Sequence, residues 1–235
     1  MKELLLDGLT QMGLSPTGEQ IDKLERYAQL LLEQNRVMNL TAITEPEQVA
    51  RLHFMDSASM LAWKGLAHKS VIDVGTGAGF PGVVLKILEP SLKLTLVDSL
   101  GKRMVWLETI CKALSLDEVT CLHARAEELA LEPKFRDSFD LAVSRAVASY
   151  PLLCELCLPF VRPGGRFIAM KSVESGAEVQ SGEKAVKALG GKPLESWDYT
   201  IPGAGVTHRL VVAEKTVPTP KGYPRSWGKI KKNPL

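Results

Sequence analysis

Residues 70–88 read SVIDVGTGAGFPGVVLKIL. Val71, Ile72 and Val74 are the β-branched residues of a buried strand, and the apolar run after Gly82 reads as a helix. Between them stand Gly75, Gly77, Gly79 and Gly82. Glycines let a chain turn sharply from strand into helix and leave room for a ligand against the backbone. Read from Gly77, the same residues satisfy GxGxxG, a spacing shared with dinucleotide-binding sheets, so the turn alone does not choose its ligand.

Downstream of this unit, short apolar runs alternate with helical stretches. Strands are predicted at Ser70–Val74, Lys93–Asp98, Val119–Ala124, Phe139–Ser144 and Arg166–Lys171, with helices at Pro81–Leu88, Gly101–Leu114, Val147–Leu158 and Ser175–Leu189. That alternation predicts βαβ units and a parallel sheet covered on both faces. Two further runs, Leu194–Thr200 and His208–Lys215, are separated only by a loop holding Pro202, Gly203 and Gly205. So short a connection allows antiparallel neighbours and no crossover. Five parallel strands closed by an antiparallel hairpin give a Rossmann-like α/β fold with a seven-stranded, mostly parallel sheet, the order of class I methyltransferases; a nicotinamide-binding domain ends on parallel strands.

Upstream, Ile21, Leu24, Ala28 and Leu31 recur at helical spacing behind a Thr17/Gln20 capping box, and Thr44 with Glu47 repeats the capping signature before a second helical stretch through Leu61. Residues up to about Trp63 therefore read as helical. The expected division is an N-terminal helical extension over 1–64, a catalytic domain over 65–216 and a basic, proline-containing tail over 217–235, the tail extended and poorly packed.

The chain carries 29 Lys and Arg against 27 Asp and Glu, a net charge of +2. Five of the cations, Lys221, Arg225, Lys229, Lys231 and Lys232, fall in the last 15 residues, which hold no acid. A basic tail on a slightly acidic body suits a polyanionic partner. Cys111, Cys121, Cys154 and Cys157 have no disulfide spacing, and the lone CxxC lacks a second ligand pair, so it reads as two buried helix residues and no metal is expected. The longest apolar run, Tyr150–Val161, is too short to span a bilayer. With no export signal in Met1–Leu9, a cytoplasmic protein is expected.

Three features around the glycine turn bear on the ligand. Asp73 precedes the first glycine by two positions, where a carboxylate can hold the loop or face a bound amino acid. Asp98 closes the second strand about 20 residues on, where its oxygens can accept both hydroxyls of an adenosine ribose. Ala126-Glu127-Glu128 follow the third strand, where methyltransferases read the adenine edge with a backbone amide and an acidic side chain. S-adenosylmethionine and NAD both explain Asp98. No separate hydride-acceptor domain follows, which disfavours an NAD-dependent oxidoreductase.

For a methyltransferase, the fourth strand ends in Ser144-Arg145-Ala146-Val147 rather than the NPPY-type motif of exocyclic-amine enzymes. Cys154 falls mid-helix, away from where a cytosine-C5 nucleophile is needed. Clustered acids for a catechol enzyme's metal are missing. A nucleophile that needs no activation remains, such as guanine N7, for which catalysis is in-line positioning without a general base. No catalytic acid or base is therefore assigned. A non-catalytic RNA-binding assembly factor retaining the pocket is the remaining alternative.

The stretches NLTAIT at 39–44, HFMDS at 53–57, IDVGTGAGFPG at 72–82, VDSLGKR at 97–103, SRA at 144–146 and HRLVV at 208–212 together resemble the bacterial 16S rRNA guanine-N7 methyltransferase G family, formerly called glucose-inhibited division protein B. The resemblance covers nearly the whole chain. It implies an S-adenosylmethionine-dependent enzyme forming 7-methylguanosine in the decoding-region loop of 16S rRNA; naked RNA and the 30S subunit both stand as forms of the substrate, with the 30S subunit and a monomeric enzyme expected. Carried over by position, Gly75, Phe80, Ala126, Glu127 and Arg145 match cofactor-contacting positions of the family and join Asp73, Gly77, Gly79 and Asp98. Lys102, Arg103 and Arg125 resemble basic residues near the cleft. With His53, Lys221 and Arg225 they make up the expected RNA contacts, while Asp56 matches an N-terminal motif of unexplained role. Ile230 stands where many members have proline.

Overall fold

The computed structural model describes residues 1–62 and 65–235. Its sheet holds β1 (Ser70–Val74), β2 (Lys93–Asp98), β3 (Val119–His123), β4 (Phe139–Arg145), β5 (Val161–Ser172), β6 (Gly191–Pro193), β7 (Trp197–Thr200) and β8 (Thr207–Lys215). The order is β3-β2-β1-β4-β5-β8-β6, with β7 also paired to β8. β1 to β5 pair in parallel, and β8 runs antiparallel to β5, β6 and β7. The strand expected at Leu194–Thr200 is thus one edge position occupied by two pieces. Gly191–Pro193 pairs with Ala213–Lys215 and Trp197–Thr200 with Thr207–Leu210, which brings the number of strands to eight.

Helices cover both faces. After α1 (Lys2–Gln11) and α2 (Gly18–Met38), α3 (Pro46–Val49) runs through a π-helical stretch at Ala50–Met55 into α4 (Asp56–Ala58) and a 3-10 turn at Ser59–Ala62. Then come α5 (Gly82–Leu88), α6 (Gly101–Ala113), α7 (Ala126–Leu129), α8 (Tyr150–Cys157), α9 (Gly176–Ala188) and α10 (Trp227–Lys232). Alternation along the strands sorts the core: Ile168, Met170, Leu210 and Val212 face one cluster, Phe167, Ala169, Val211 and Ala213 the other. The first cluster joins Leu5, Leu24, Tyr27 and Phe54 of the N-terminal helices to Val83 of α5 and Leu107 of α6. The second joins Leu153 of α8 and Val186 of α9 to Ile230 of α10. Cys154 and Cys157 are buried, unpaired thiols on α8.

The capping box of Thr17 and Gln20 forms at the start of α2. Its counterpart at Thr44 and Glu47 does not: Glu45 is the N-cap, Pro46 opens the helix, and Glu47 pairs instead with Arg51 one turn on. Proline at the first helical position sets the start without a side-chain cap. The boundary expected at Trp63 and residue 64 lies outside the described residues.

The C-terminal tail differs from its sequence reading as an extended, poorly packed end. The Lys215 ammonium, fully buried, donates to Asp137, the Leu158 carbonyl and Thr219, while Arg136 donates to the carbonyls of Thr219, Pro220 and Tyr223. Arg225 forks onto the buried carboxylate of Glu155 at 2.6 to 3.1 Å, and Ile230 of α10 is fully buried. Composition suggested a solvated tail; buried charges waiting on the body for partners override it. Removing one partner of a buried pair costs about 3 to 5 kcal/mol, less where one side is partly exposed. Arg225→Ala should therefore lower the unfolding free energy by about 2 to 4 kcal/mol, read from urea denaturation, and an unchanged midpoint would contradict the tail's anchoring role.

Candidate functional site

The turn after β1 is held from inside. Asp73 is fully buried, and its Oδ2 accepts the Thr76 hydroxyl and the Gly82 N–H, both at 2.8 Å. Burial, only partly offset by those donors, pushes the carboxyl up to about 6. Its Oδ1 has no hydrogen-bond partner among the described residues. A Cβ on Gly82 would stand 2.7 Å from that carboxylate, and one on Gly79, at φ +114°, 2.6 Å from the Tyr27 hydroxyl. Tyr27 of α2 and the Trp106 indole of α6 both donate to the carbonyl of Ala78 and so tie the loop to its surroundings.

Above the loop lies a cavity of about 510 Å³, bounded by the ends of β1, β2 and β4. Open parallel sheets bind ligands in such a crevice. Asp98 lines it. Its Oδ1 accepts the Leu100 N–H, and its Oδ2 accepts the Gly77 N–H at 3.0 Å and Arg103 at 3.1 Å. A carboxylate has about four acceptor positions, so these three donors leave one, and a second opens only if Arg103 yields. Beside it, Ala126 opens α7, where N–H groups lack an intrahelical acceptor. The largely buried Glu127 is bonded to Arg125 at 2.5 Å.

The opposite wall is built on Arg145. Its Nη1 donates to the Leu52 carbonyl and to Asp56, both at 3.0 Å, and its Nη2 donates to Nδ1 of His53 at 3.0 Å. The guanidinium lies 4.7 Å from the centre of the Phe80 ring, and His53 stacks on that ring at 4.5 Å. Asp56 also accepts Tyr199 and His208. Burial pushes its carboxyl up, but His208, Arg145 and Tyr199 outweigh that and hold it below the usual value; Asp56 in turn raises His208.

Because Arg145 can only donate, Nδ1 of His53 must accept. The proton therefore sits on Nε2 and is given to Thr41 Oγ1 at 2.7 Å. Burial and the Arg145 charge push the His53 pKa down to about 4, so the ring is neutral. Thr41 is itself clamped by the Asn35 amide at its N–H and carbonyl. Its Oγ1 also accepts the Ile43 N–H, leaving its own hydrogen without an acceptor among the described residues.

Of the sequence-predicted cofactor residues, Gly75, Gly77, Phe80, Asp98, Ala126, Glu127 and Arg145 line one cavity, while Asp73 and Gly79 hold its floor from beneath. Arg145 bonds to Leu52, Asp56 and His53 and so cross-links β4 to the N-terminal helices. Among the expected RNA contacts, Arg103, Arg125 and His53 line the cavity, whereas exposed Lys102 and Lys221 do not. His53 is a neutral, fully bonded ring, not a cation for phosphate. Arg225 is likewise committed, to Glu155. Sequence reading missed Leu40 and Thr41, present only as part of a motif, and took Trp227 as a tail aromatic for stacking on RNA, whereas it lines this cavity; both segments are remote in sequence from the glycine turn. Ala146, at φ +54°, holds a left-handed conformation costly for a residue with a Cβ, which marks the turn after β4 as constrained.

Comparison with known proteins places this geometry. The family model described as rRNA small subunit methyltransferase G matches residues 20–199. The chain is 46% identical to "Ribosomal RNA small subunit methyltransferase G" of Alkaliphilus metalliredigens over 100% of its own length and 98% of that protein's. The protein of the same name from Acetivibrio thermocellus is 44% identical, over 100% and 97%. Among solved structures, M. jannaschii TYW2 in complex with AdoMet superposes with a TM-score of 0.55 at 14% identity, covering 69% of this chain and 76% of that one, a likeness of fold. With the family model spanning most of its length and relatives matching end to end, the chain belongs to the rRNA small subunit methyltransferase G family.

Proposed function

We propose that the protein transfers the methyl group of S-adenosylmethionine to N7 of a guanine in 16S rRNA. The observation that carries this reading is the buried Asp98 carboxylate facing a glycine-floored cavity of about 510 Å³, in a chain of this family. The residues present fit that cofactor. Asp98 would accept the ribose hydroxyls once Arg103 gives up its place. The Ala126 N–H and Glu127 would meet the adenine edge. The unpartnered Oδ1 of Asp73 supplies negative charge beneath the loop, toward the amino-acid end.

When bound, S-adenosylmethionine supplies a methyl group on a positively charged sulfur. The chain's own residues then have three tasks. The glycine loop, fixed by Asp73, Tyr27 and Trp106, sets the depth of the cavity floor. The Arg145–Asp56–His53 cross-link holds the wall opposite Asp98 at a fixed distance, so that donor and acceptor meet in line, which is worth several kcal/mol of barrier for a reaction between aligned groups. Guanine N7 carries a free lone pair and loses no proton, so no side chain need act as base. His53, pushed down to about 4 and with both ring nitrogens engaged, is unsuited to that role. Arg103, Arg125 and Lys102 offer cations at the rim for phosphates, a contribution that weakens with salt. The substrate is the small-subunit RNA within the 30S particle, which places the protein in the cytoplasm.

Incubating the enzyme with methyl-labelled S-adenosylmethionine and 30S subunits, then digesting the RNA to nucleosides, should yield labelled 7-methylguanosine. Asp98→Ala should bind the cofactor roughly 30- to 150-fold more weakly, the scale of about 2 to 3 kcal/mol for losing a buried charged acceptor. Label in adenine N6 or cytosine C5, or cofactor affinity unchanged in the variant, would overturn the reading.

Glutamine can reproduce the neutral His53 pattern, accepting from Arg145 and donating to Thr41. His53→Gln should keep kcat within about threefold, with a profile flat between about pH 7 and 8, because a general base would contribute at least about 100-fold. A hundredfold fall, or a rate limb that disappears in the variant, would make His53 the base.

A further inference from the structure

Trp227, the first residue of α10, lines the same cavity beside Arg125, Ala126, Glu127 and Leu156. The other rings along its lining, His53 and Phe80, belong to the side reached by the N-terminal helices, so on the β2–β3 side Trp227 is the aromatic surface. Next to the indole sits the Arg125 guanidinium, 5.3 Å from the ring centroid and itself bonded to Glu127 at 2.5 Å. The segment carrying the ring is fastened on both sides. Arg225 pairs with buried Glu155 just before it, and Ile230 is fully buried one turn after it. A ring held this way loses little conformational freedom when a ligand packs on it.

We propose that Trp227 forms the aromatic wall of the adenine subsite, so that the last helix of the chain completes the cofactor pocket. Its indole stacks on the purine whose edge meets Ala126 and Glu127. The assignment rests on the reading of the cavity as an S-adenosylmethionine site and adds to it a residue that enters from the far end of the chain. Truncation of the tail would then cost cofactor affinity as well as stability.

The test is titration of S-adenosylhomocysteine, and separately of adenosine, into the full-length protein and its W227F and W227A variants, followed by calorimetry and by tryptophan emission. Base–aromatic stacking is worth about 1 to 3 kcal/mol. W227A should therefore bind both ligands roughly 5- to 150-fold more weakly. W227F, which keeps an apolar ring, should stay within about threefold while losing most of the emission change seen with the wild type; any remainder belongs to Trp106 near the loop. W227A binding within twofold of wild type, or W227F keeping the whole emission change, overturns the assignment alone. A wild-type protein that binds neither ligand overturns the cofactor reading beneath it.

Discussion

Everything at the site depends on one buried carboxylate folded back onto its own loop. Asp73 ends its strand among apolar neighbours and, through a single oxygen, grips both Thr76 within the turn and Gly82 at the start of α5. The N–H it takes from Gly82 belongs to a helix start, whose donors otherwise lack partners. That grip is possible only because position 82 carries no Cβ, and the chain can pass Tyr27 only because position 79 carries none. Burying the charge costs enough to push its pKa up to about 6, and the cost is accepted where a single conformation of the ligand loop is worth more than stability.

From this fixed floor, the two ends of the chain build the two walls. The N-terminal helices lie on one face of the sheet with α5 and α6, and reach the crevice through Thr41 and His53. The C-terminal tail lies on the other face with α8 and α9, and reaches it through Trp227. Each end is fastened by charges: Asp56 on Arg145, His208 and Tyr199 for the first, Glu155 on Arg225 and Asp137 on Lys215 and Thr219 for the second. Neither His53 nor Trp227 lies in the sheet, yet both stand where the sheet's topology opens. The polar clusters therefore serve as assembly devices, and the motif HFMDS has a physical explanation: His53 and Asp56 are the two side chains that receive Arg145.

The sheet was legible because its code is local. Apolar runs, glycine turns and a connection too short for a crossover fix strand order and direction without knowledge of the rest of the chain. Asp98 and the glycine loop were legible for the same reason, as they sit at fixed distances along one βαβ unit. What escaped depends on contacts between distant segments. Nothing within residues 217–235 says that Lys215, Arg136 and Glu155 wait for them, so prolines and lysines read as a solvated tail and Arg225 as a phosphate ligand. The edge strand reads as starting at Leu194, and the short piece Gly191–Pro193 escapes, because both it and the break at Leu194–Ser196 are set by pairing with β8. Thr44 and Glu47 have the spacing of a cap, but Pro46 moves the helix start and Arg51 claims the glutamate.

The central claim is that loop, N-terminal wall and C-terminal wall together form one preorganised cofactor site. A crystal structure of the protein with S-adenosylhomocysteine tests it most directly. The ribose hydroxyls should lie within hydrogen-bonding distance of Asp98 with Arg103 displaced, the adenine should lie between Ala126 and Trp227, and Arg145 should remain on Asp56 and His53. A ligand bound away from Asp98, or an Arg145 that leaves Asp56 to meet it, would contradict the account.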